Sequence, residues 1–287
     1  MKKLLLCVGA AKTGTTWLYR NVRANPGLWF SPEKELNFHF TRHGWFDRLT
    51  PEIRSRKMEE RLAKPDADEA MAEWYRRFVE GPVGPDWYRS LFDAAPAERW
   101  ACDFSPSTSL IPASGWAEVA RFAPEMRYIY IMREPEARLW SHAKFHARYT
   151  GAAERFRGLS LRGMERFVER SQLLVDGNYG TNLSAMLTAV PREHVLLLDH
   201  ARIAASPQAA LREVEAFLGL PETPDPEGIA ARPVNVTEAS PPPPGFGDRW
   251  RRLFRRETAR LVDLGVGFAA PWAQLHAERR ARLLPWF

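Results

Sequence analysis

Short apolar runs alternate along the chain with longer stretches in which apolar residues recur every three or four positions. The runs are typical of buried strands, and the stretches are typical of amphipathic helices. Strands are predicted at residues 4–8, 29–30, 100–104, 128–132 and 195–198. Helices are predicted at residues 15–25, 86–94, 114–123, 135–149, 160–173, 180–190, 207–218 and 249–264, and helical segments within 47–80. The alternation predicts an α/β protein: a three-layer fold whose central, mostly parallel sheet is covered by helices on both faces.

Length and composition narrow the class of protein. A 287-residue chain without repeats predicts a single domain over 1–287, with a helical C-terminal tail at about 248–287. Trp272, Leu275, Leu283 and Leu284 are expected to pack this tail against the body. The net charge of +6 favours an anionic ligand, but Arg and Glu are interleaved along the predicted helices, so nucleic acid is not expected.

The cysteines and the N-terminal residues indicate in which cellular compartment the protein is expected. Cys7 and Cys102 lie in apolar runs and are expected to be buried free thiols. The first apolar run is too short for a signal peptide, and no stretch is long enough for a membrane span, so a cytoplasmic protein is expected. His, Cys and carboxylate residues show no metal-ligand spacing, so no metal is expected.

The turn between the first strand and the first helix, residues 9–18, predicts an anion site. Backbone N–H groups at a helix N-terminus lack intrahelical partners. Lys12 adds a positive charge there, and Thr13, Thr15 and Thr16 add hydroxyl donors. A phosphate-bearing ligand is expected. The lysine stands two positions before the glycine and not directly after it as in the ATP-binding loop, which argues against a P-loop kinase or NTPase but leaves it as an alternative.

A second anion site is predicted after the strand at 128–132. Arg133 ends that strand, where α/β folds bind ligands. On the following helix Arg138, Ser141 and His142 are spaced to share one face. We interpret Arg133 and Ser141 as a clamp on one phosphate, with a bidentate guanidinium and a hydroxyl donor. The alternative is a solvated helix face.

Both strings resemble donor-binding motifs of sulfotransferases that use 3′-phosphoadenosine 5′-phosphosulfate (PAPS). Their 5′-phosphosulfate loop is similar to Lys12, Thr13, Gly14, Thr15, Thr16 and Trp17, and their 3′-phosphate motif is similar to residues 128–142. The resemblance implies a fold related to P-loop nucleotide kinases. It also implies transfer of a sulfuryl group from PAPS to a hydroxyl of a small-molecule, sugar or lipid acceptor, with 3′,5′-bisphosphoadenosine as product. It covers about 3–40 and 100–285, which leaves about 41–98 as a variable helical insertion.

The resemblance also implies a catalytic base. Residues 31–40 look like the K-E-x-x-F-F segment of heparan-type and related bacterial sulfotransferases, where the glutamate is the base, and Glu35 occupies that position. Sulfuryl transfer needs a base for the acceptor proton. A carboxylate held against Phe38 and Phe40 would be desolvated, which would strengthen it. Lys12 is expected to stabilise the leaving phosphate.

Other positions carry weaker signals. His39 and His142 are rival bases, because related cytosolic sulfotransferases use a histidine. Tyr179 matches a G-x-Y-x-x-x-L element near the adenine or the 3′-phosphate, although it could equally be a packed loop residue. Asn235 matches the start of a donor-covering loop. Phe104 replaces a lysine of the heparan-type pattern, so the resemblance does not by itself imply a polysaccharide acceptor.

The aromatic residues of the insertion have two interpretations. They could line an acceptor pocket or form the insertion's own core, and the second is favoured. The residues concerned are Trp45, Trp74, Tyr75, Trp87 and Tyr88. A non-catalytic nucleotide-binding module of the same fold remains an alternative to an enzyme, and the sequence does not fix the number of subunits.

Overall fold

The computed structural model describes residues 1–225, 228 and 240–281. At its centre lies a five-stranded sheet in the order β2-β3-β1-β4-β5, and all its neighbouring strands are parallel. The strands are β1 (Lys3–Gly9), β2 (Leu28–Phe30), β3 (Trp100–Asp103), β4 (Glu125–Met132) and β5 (Val195–Asp199). The predicted α/β fold with a central parallel sheet is confirmed.

Strand β1 shows why the sheet is covered on both faces. Leu4 and Leu6 join the apolar cluster on one face, whereas Leu5 and Cys7 join the cluster on the other. Successive side chains of a strand point to opposite faces, so an uninterrupted apolar run marks a strand buried on both sides. Cys7 and Cys102 are buried and free, as expected.

Helices pack on both faces of this sheet and beyond its edge. They are α1 (Thr15–Val22), α2 (Phe38–His43), α3 (Pro51–Leu62), α4 (Glu69–Val79), α5 (Pro85–Ser90), α6 (Ala113–Val119), α7 (Pro135–Tyr149), α8 (Ala153–Arg157), α9 (Leu161–Arg170), α10 (Tyr179–Leu187), α11 (His200–Ala205), α12 (Pro207–Phe217), α13 (Arg251–Asp263) and α14 (Ala270–Ala281). Helices α1, α11 and α12 cover one face, and α2, α4, α5, α6, α10, α13 and α14 contribute to the cluster on the other. Helices α7 to α9 form a third cluster with residues 246–254.

Several short helices differ from the sequence expectations. Helix α2 follows Asn37, whose left-handed backbone (φ 56°) turns the chain just before it. Helix α11 begins where Asp199 accepts a hydrogen bond from the N–H of Ala201 at 3.0 Å. Neither helix was predicted, because six residues are too few to show a helical period. None of the described helices combines the length and the apolar character needed to cross a bilayer.

The aromatic residues of the insertion divide into two groups. Trp74, Tyr75, Trp87 and Tyr88 are buried in the apolar cluster next to the sheet, so the favoured interpretation as core is confirmed for these four. Trp45 is instead 58% exposed. In the tail, Trp272 is buried and Leu275 is exposed, whereas Leu283 and Leu284 lie outside the described residues.

A buried carboxylate joins α13 to α10. Glu257 is fully buried, and its two oxygens accept hydrogen bonds from the N–H (2.8 Å) and the hydroxyl (3.0 Å) of Thr181. We expect Glu257→Ala to lower the free energy of unfolding by about 1–3 kcal/mol, because both donors lose their acceptor. Urea unfolding measures this, and the exposed Glu98→Ala should change it by less than about 0.5 kcal/mol. Equal effects in the two variants would contradict the prediction.

Candidate functional site

A cleft of about 1710 Å³ opens at the edge of the sheet where the strands end. Each strand contributes lining residues from the segment that follows it: Lys12 after β1, Glu35 after β2, Ser107 after β3, Arg133 after β4 and His200 after β5. Ligands of open parallel sheets bind at this carboxyl edge. The cleft is therefore the candidate site, and it brings together both predicted anion sites and the candidate base.

The backbone of the β1–α1 loop turns sharply. Lys12 (φ 70°) and Gly14 (φ 100°) have left-handed backbones, and Gly14 caps α1. Glycine is favoured at position 14 because residues with a side chain are strained in this backbone conformation. Thr15 and Thr16 open the helix and line the cleft with Trp17. The first turn of α1, whose N–H groups have no acceptor within the helix itself, opens beside these residues, as an anion site requires.

Thr13 has a different position from the one expected. Its side chain is fully buried, and its hydroxyl donates to the carbonyl of Ala10 at 2.8 Å within the same loop. The hydroxyl therefore holds the loop in shape and is not a free donor. Of the three threonines in this loop, Thr15 and Thr16 line the cleft and Thr13 does not.

The Lys12 ammonium lies in a cationic part of the cleft. Its Nζ is 3.9 Å from the centroid of the Phe145 ring. Burial, and then the charges of Arg148 and Arg133, lower the pKa of Lys12 from 10.5 to about 8, while the charge of Glu35 acts in the opposite direction. Lys12, Arg133 and Glu35 are thus close enough for their charges to interact. An anion bound here would restore the stability of the charged ammonium.

The second anion element is built by the start of α7. Glu134 caps this helix and accepts hydrogen bonds from the N–H groups of Glu136 (3.0 Å) and Ala137 (2.7 Å). The capped helix carries Ser141 into the cleft, where Arg133 also lies. Burial lowers the pKa of the Arg133 guanidinium. The arginine and the serine predicted as a phosphate clamp therefore line the same cleft.

Tyr179 supports this element from behind. It is fully buried between Tyr130 and Trp272, with ring centroids 6.1 Å and 6.5 Å away. Its hydroxyl accepts a hydrogen bond from the N–H of Arg133 at 3.3 Å. Tyr179 is therefore placed to hold the backbone of Arg133 and does not line the cleft, which agrees with the packed alternative and not with a contact with adenine. Asn235 lies outside the described residues.

Glu35 lines the cleft, but its surroundings differ from those expected. Its side chain is 43% exposed, and its carboxylate lies 2.9 Å from Lys34 Nζ. Phe38 stacks on Tyr88 in the core with a centroid distance of 4.5 Å, and Phe40 packs against Trp45 at the rim. The expected desolvation of this carboxylate against the two phenylalanines is therefore wrong. The carboxylate is accessible from the cleft.

A buried acid holds the segment that carries Glu35. Asp103, at the end of β3, accepts hydrogen bonds from the hydroxyls of Ser105 (2.5 Å) and Tyr88 (2.9 Å). The Ser105 hydroxyl also accepts from the N–H of Asn37 at 2.9 Å. Burial raises the pKa of Asp103 to about 6. These bonds fix residues 35–37 against the sheet, a role that sequence reasoning missed although the lone acid in an apolar strand was a signal.

The two histidines proposed as rival bases occupy different environments. His39 is buried in the core against Phe122, and burial lowers its pKa to about 3. It does not line the cleft and cannot act there. His142 does line the cleft, with its Nδ1 3.0 Å from Arg138 Nη1. Among the described residues, no group of three or more His, Cys, Asp or Glu side chains is suitably placed to hold a metal ion.

Sequence reasoning missed three further cleft residues. Phe145 lies beneath the Lys12 ammonium, the buried carboxylate of Asp176 lies near the N–H of Ala11 in the anion loop, and His200 lies beside Gly14. The position of Phe145, one turn beyond Ser141, was the available signal. Asp176 and His200 come from separate segments, and no sequence pattern linked either of them to the site.

Comparisons with known proteins agree with this architecture. The model of the sulfotransferase family matches residues 5–225, whereas no curated protein matches the chain. The fold is similar to a sulfotransferase from Alicyclobacillus acidocaldarius (22% identity over 92% of this chain and 96% of that one, TM-score 0.64). It is also similar to the sulfotransferase domain of the curacin biosynthetic pathway (17% identity, 78% and 76% covered, TM-score 0.52).

A third solved structure is similar to the same extent. It is the sulfotransferase domain of the Synechococcus PCC 7002 olefin synthase (18% identity, 88% and 89% covered, TM-score 0.52). At these identities the three structures show a shared fold, while the family match extends over most of the chain. The chain therefore belongs to the sulfotransferase family and is an enzyme of that class.

Proposed function

We propose that the protein transfers a sulfuryl group from PAPS to a hydroxyl of an acceptor. The observation that carries this proposal is that two separate anion-binding elements line one cleft, with a carboxylate in the same cleft. PAPS has a phosphosulfate on its 5′ side and a phosphate on its 3′ side, so it needs two such elements. Membership of the sulfotransferase family supports the same donor.

The lining residues suggest how each end of the donor is held. Lys12 and the first-turn N–H groups of α1 contact the 5′-phosphosulfate, and Gly14 lets the backbone approach closely. Arg133 and Ser141 hold the 3′-phosphate, the guanidinium by two parallel hydrogen bonds. Trp17 borders the 5′ end of the site. Asn235 remains expected to cover the donor.

The transfer step uses charges already in the cleft. The acceptor oxygen forms a bond to sulfur while the bond from sulfur to the bridging phosphate oxygen breaks, and the acceptor proton passes to the Glu35 carboxylate. The electron pair of the broken bond remains on the phosphate. Lys12 and the α1 N–H groups stabilise this developing charge, as fixed donors do in other group transfers. Lys34, 2.9 Å from the Glu35 carboxylate, orients it.

The rim of the cleft indicates the class of acceptor. Trp45 and Phe46 are 58% and 60% exposed, and both line the cleft. Exposed aromatic side chains beside a polar site are suited to hold an apolar body while a hydroxyl reaches inward. Among the small-molecule, sugar and lipid acceptors considered, one with an aromatic or lipid portion fits this rim best.

Donor recognition can be tested without knowing the acceptor. We expect 3′,5′-bisphosphoadenosine to raise the Tm while ATP does not, because only the former has a phosphate for Arg133 and Ser141. A ligand at 100 times its Kd adds about 2.7 kcal/mol of stability. Adenosine 5′-phosphate is the control that lacks the 3′-phosphate. Equal stabilisation by ATP would contradict the proposal and favour a P-loop kinase.

The base can be tested by an isosteric substitution. Glu35→Gln should lower kcat by about 10²-fold or more, because the amide cannot take the acceptor proton, and should leave the affinity for 3′,5′-bisphosphoadenosine unchanged. Glu33→Gln is the matched control, since Lys57 and Tyr75 already occupy the Glu33 carboxylate at 2.8 and 2.9 Å. Steady-state kinetics with radiolabelled PAPS and a panel of acceptors provide the measurement.

One result would contradict the role of Glu35 as the base, and another would contradict the proposal that the protein is a catalyst of this transfer. Full activity of Glu35→Gln would remove Glu35 from the reaction. A wild-type protein that binds 3′,5′-bisphosphoadenosine but transfers sulfate to no acceptor in the panel would indicate the non-catalytic nucleotide-binding alternative.

The lowered pKa of Lys12 predicts a pH dependence of binding. The free protein loses the ammonium charge as the pH rises through about 8, so the affinity for 3′,5′-bisphosphoadenosine should fall above that pH. Lys12→Arg should shift this fall to higher pH, because a guanidinium stays charged. Titration calorimetry over a pH series measures both. The same pH dependence in Lys12→Arg would show that another group controls binding.

A further inference from the structure

His142 is held by a buried arginine. Its Nδ1 lies 3.0 Å from Nη1 of Arg138, whose side chain is 1% exposed. Nη2 of the same guanidinium donates to the carbonyl of Leu173 at 2.7 Å. Arg138 is thus fixed from two directions, and its position next to the imidazole is determined by the fold.

This contact decides where the imidazole proton is. A guanidinium has only N–H donors and no acceptor, so Nδ1 must accept through its lone pair. The proton of the neutral ring is therefore on Nε2. Asp176 does not change this, because its Oδ2 is 3.7 Å from Nδ1, beyond hydrogen-bond distance.

The surroundings also keep the ring neutral. A second proton on Nδ1 would point at the guanidinium N–H. Burial, together with the charges of Arg138, Lys12 and Arg48, lowers the pKa of His142 to about 2. A ring that already has its proton on Nε2 and cannot gain one on Nδ1 has no lone pair for an acceptor proton.

The remaining edge of the ring faces the cleft. Since Nδ1 is turned to buried Arg138, the edge bearing Nε2 is the part of His142 that reaches the cleft. The two histidines differ at this atom. Nε2 of His39 is buried and has no hydrogen-bond partner, whereas Nε2 of His142 is not in that situation. Ser141 precedes it on the helix, and Phe145, one turn later, lies against the Lys12 ammonium. The charge of Lys12 acts on the His142 ring, so the imidazole lies in the part of the cleft that Lys12 occupies.

We propose that His142 is a fixed neutral hydrogen-bond donor, through Nε2–H, to an oxygen of the phosphosulfate group beside Lys12. This inference rests on the proposed function. It adds a third kind of donor, beside the ammonium and the backbone N–H groups, to the charge that builds on the phosphosulfate as the sulfur–oxygen bond breaks. The acceptor proton goes to Glu35, and His142 neither gains nor loses a proton during the reaction.

Two substitutions separate a donor from a base. The Gln amide can place an N–H near the position of Nε2, whereas the shorter Asn keeps an acceptor for Arg138 and loses that donor. We expect His142→Asn to lower kcat/KM for PAPS by about 10²-fold, the effect of losing one fixed donor to a developing charge. His142→Gln should lose less than about 10-fold. His194→Asn, on the turn before β5, is the matched control.

Product binding distinguishes this role from a structural one. The product lacks the sulfuryl group, so the Kd of 3′,5′-bisphosphoadenosine should change much less in His142→Asn than kcat/KM for PAPS. A Gln variant as inactive as the Asn variant would overturn the proposal and restore His142 as a base. An equal loss of product affinity would reduce His142 to a support of the pocket, and an Asn variant as active as wild type would also overturn it.

A spectroscopic measurement tests the proton position in the free protein. Long-range ¹H–¹⁵N NMR spectra, with the His142 signals assigned by their loss in His142→Gln, should show protonation on Nε2 alone at every pH at which the protein is folded. An Nδ1–H tautomer or an imidazolium would overturn the inference. If wild-type protein failed to bind 3′,5′-bisphosphoadenosine, the proposed function would fall together with the role of His142, whereas failure of the His142 comparisons alone would leave the proposed function intact.

Discussion

Parallel strands place all the segments that leave their carboxyl ends at one edge, and this geometric constraint determines which residues share the cleft. Lys12 follows β1 and Arg133 follows β4, which are hydrogen-bonded neighbours. Glu35 follows β2 at the sheet's edge, and the bonds of Asp103 and Ser105 fix its segment onto the end of β3. Residues far apart in the chain thus line the same cleft because of where their strands end.

The cleft gathers positive charge that the carboxylate of Glu35 offsets only in part. Burial and neighbouring arginines destabilise the Lys12 ammonium, and burial also opposes the charge of Arg133. Neutral groups line the same cleft: the imidazole of His142, the ring of Phe145 and the hydroxyl of Ser141. A ligand with negative charge at both ends relieves this repulsion, so part of its affinity comes from the free protein's own electrostatic strain.

The sheet could be predicted because its central strands are continuous apolar runs, which few other structures produce. The anion loop and the Arg133 segment were also evident, since each directly follows such a run. Hydrogen-bond partners were not evident: the sequence shows that Thr13 has a hydroxyl, but only the fold shows that the Ala10 carbonyl accepts from it. For Tyr179 the sequence left a contact with adenine, a contact with the 3′-phosphate and a packed position open, and only the fold shows that it is buried between Tyr130 and Trp272 of α14.

The ring of Phe145 has a consequence for repeated turnover. When a bound anion leaves, the Lys12 ammonium needs a new neighbour, and a carboxylate would hold it so firmly that each incoming molecule would have to compete for it. An aromatic face attracts a cation by only about 0.5–2 kcal/mol, and it lies 3.9 Å from Nζ. The ammonium of the free protein therefore lies in a shallow energy well, which an incoming anion can draw it out of at little cost.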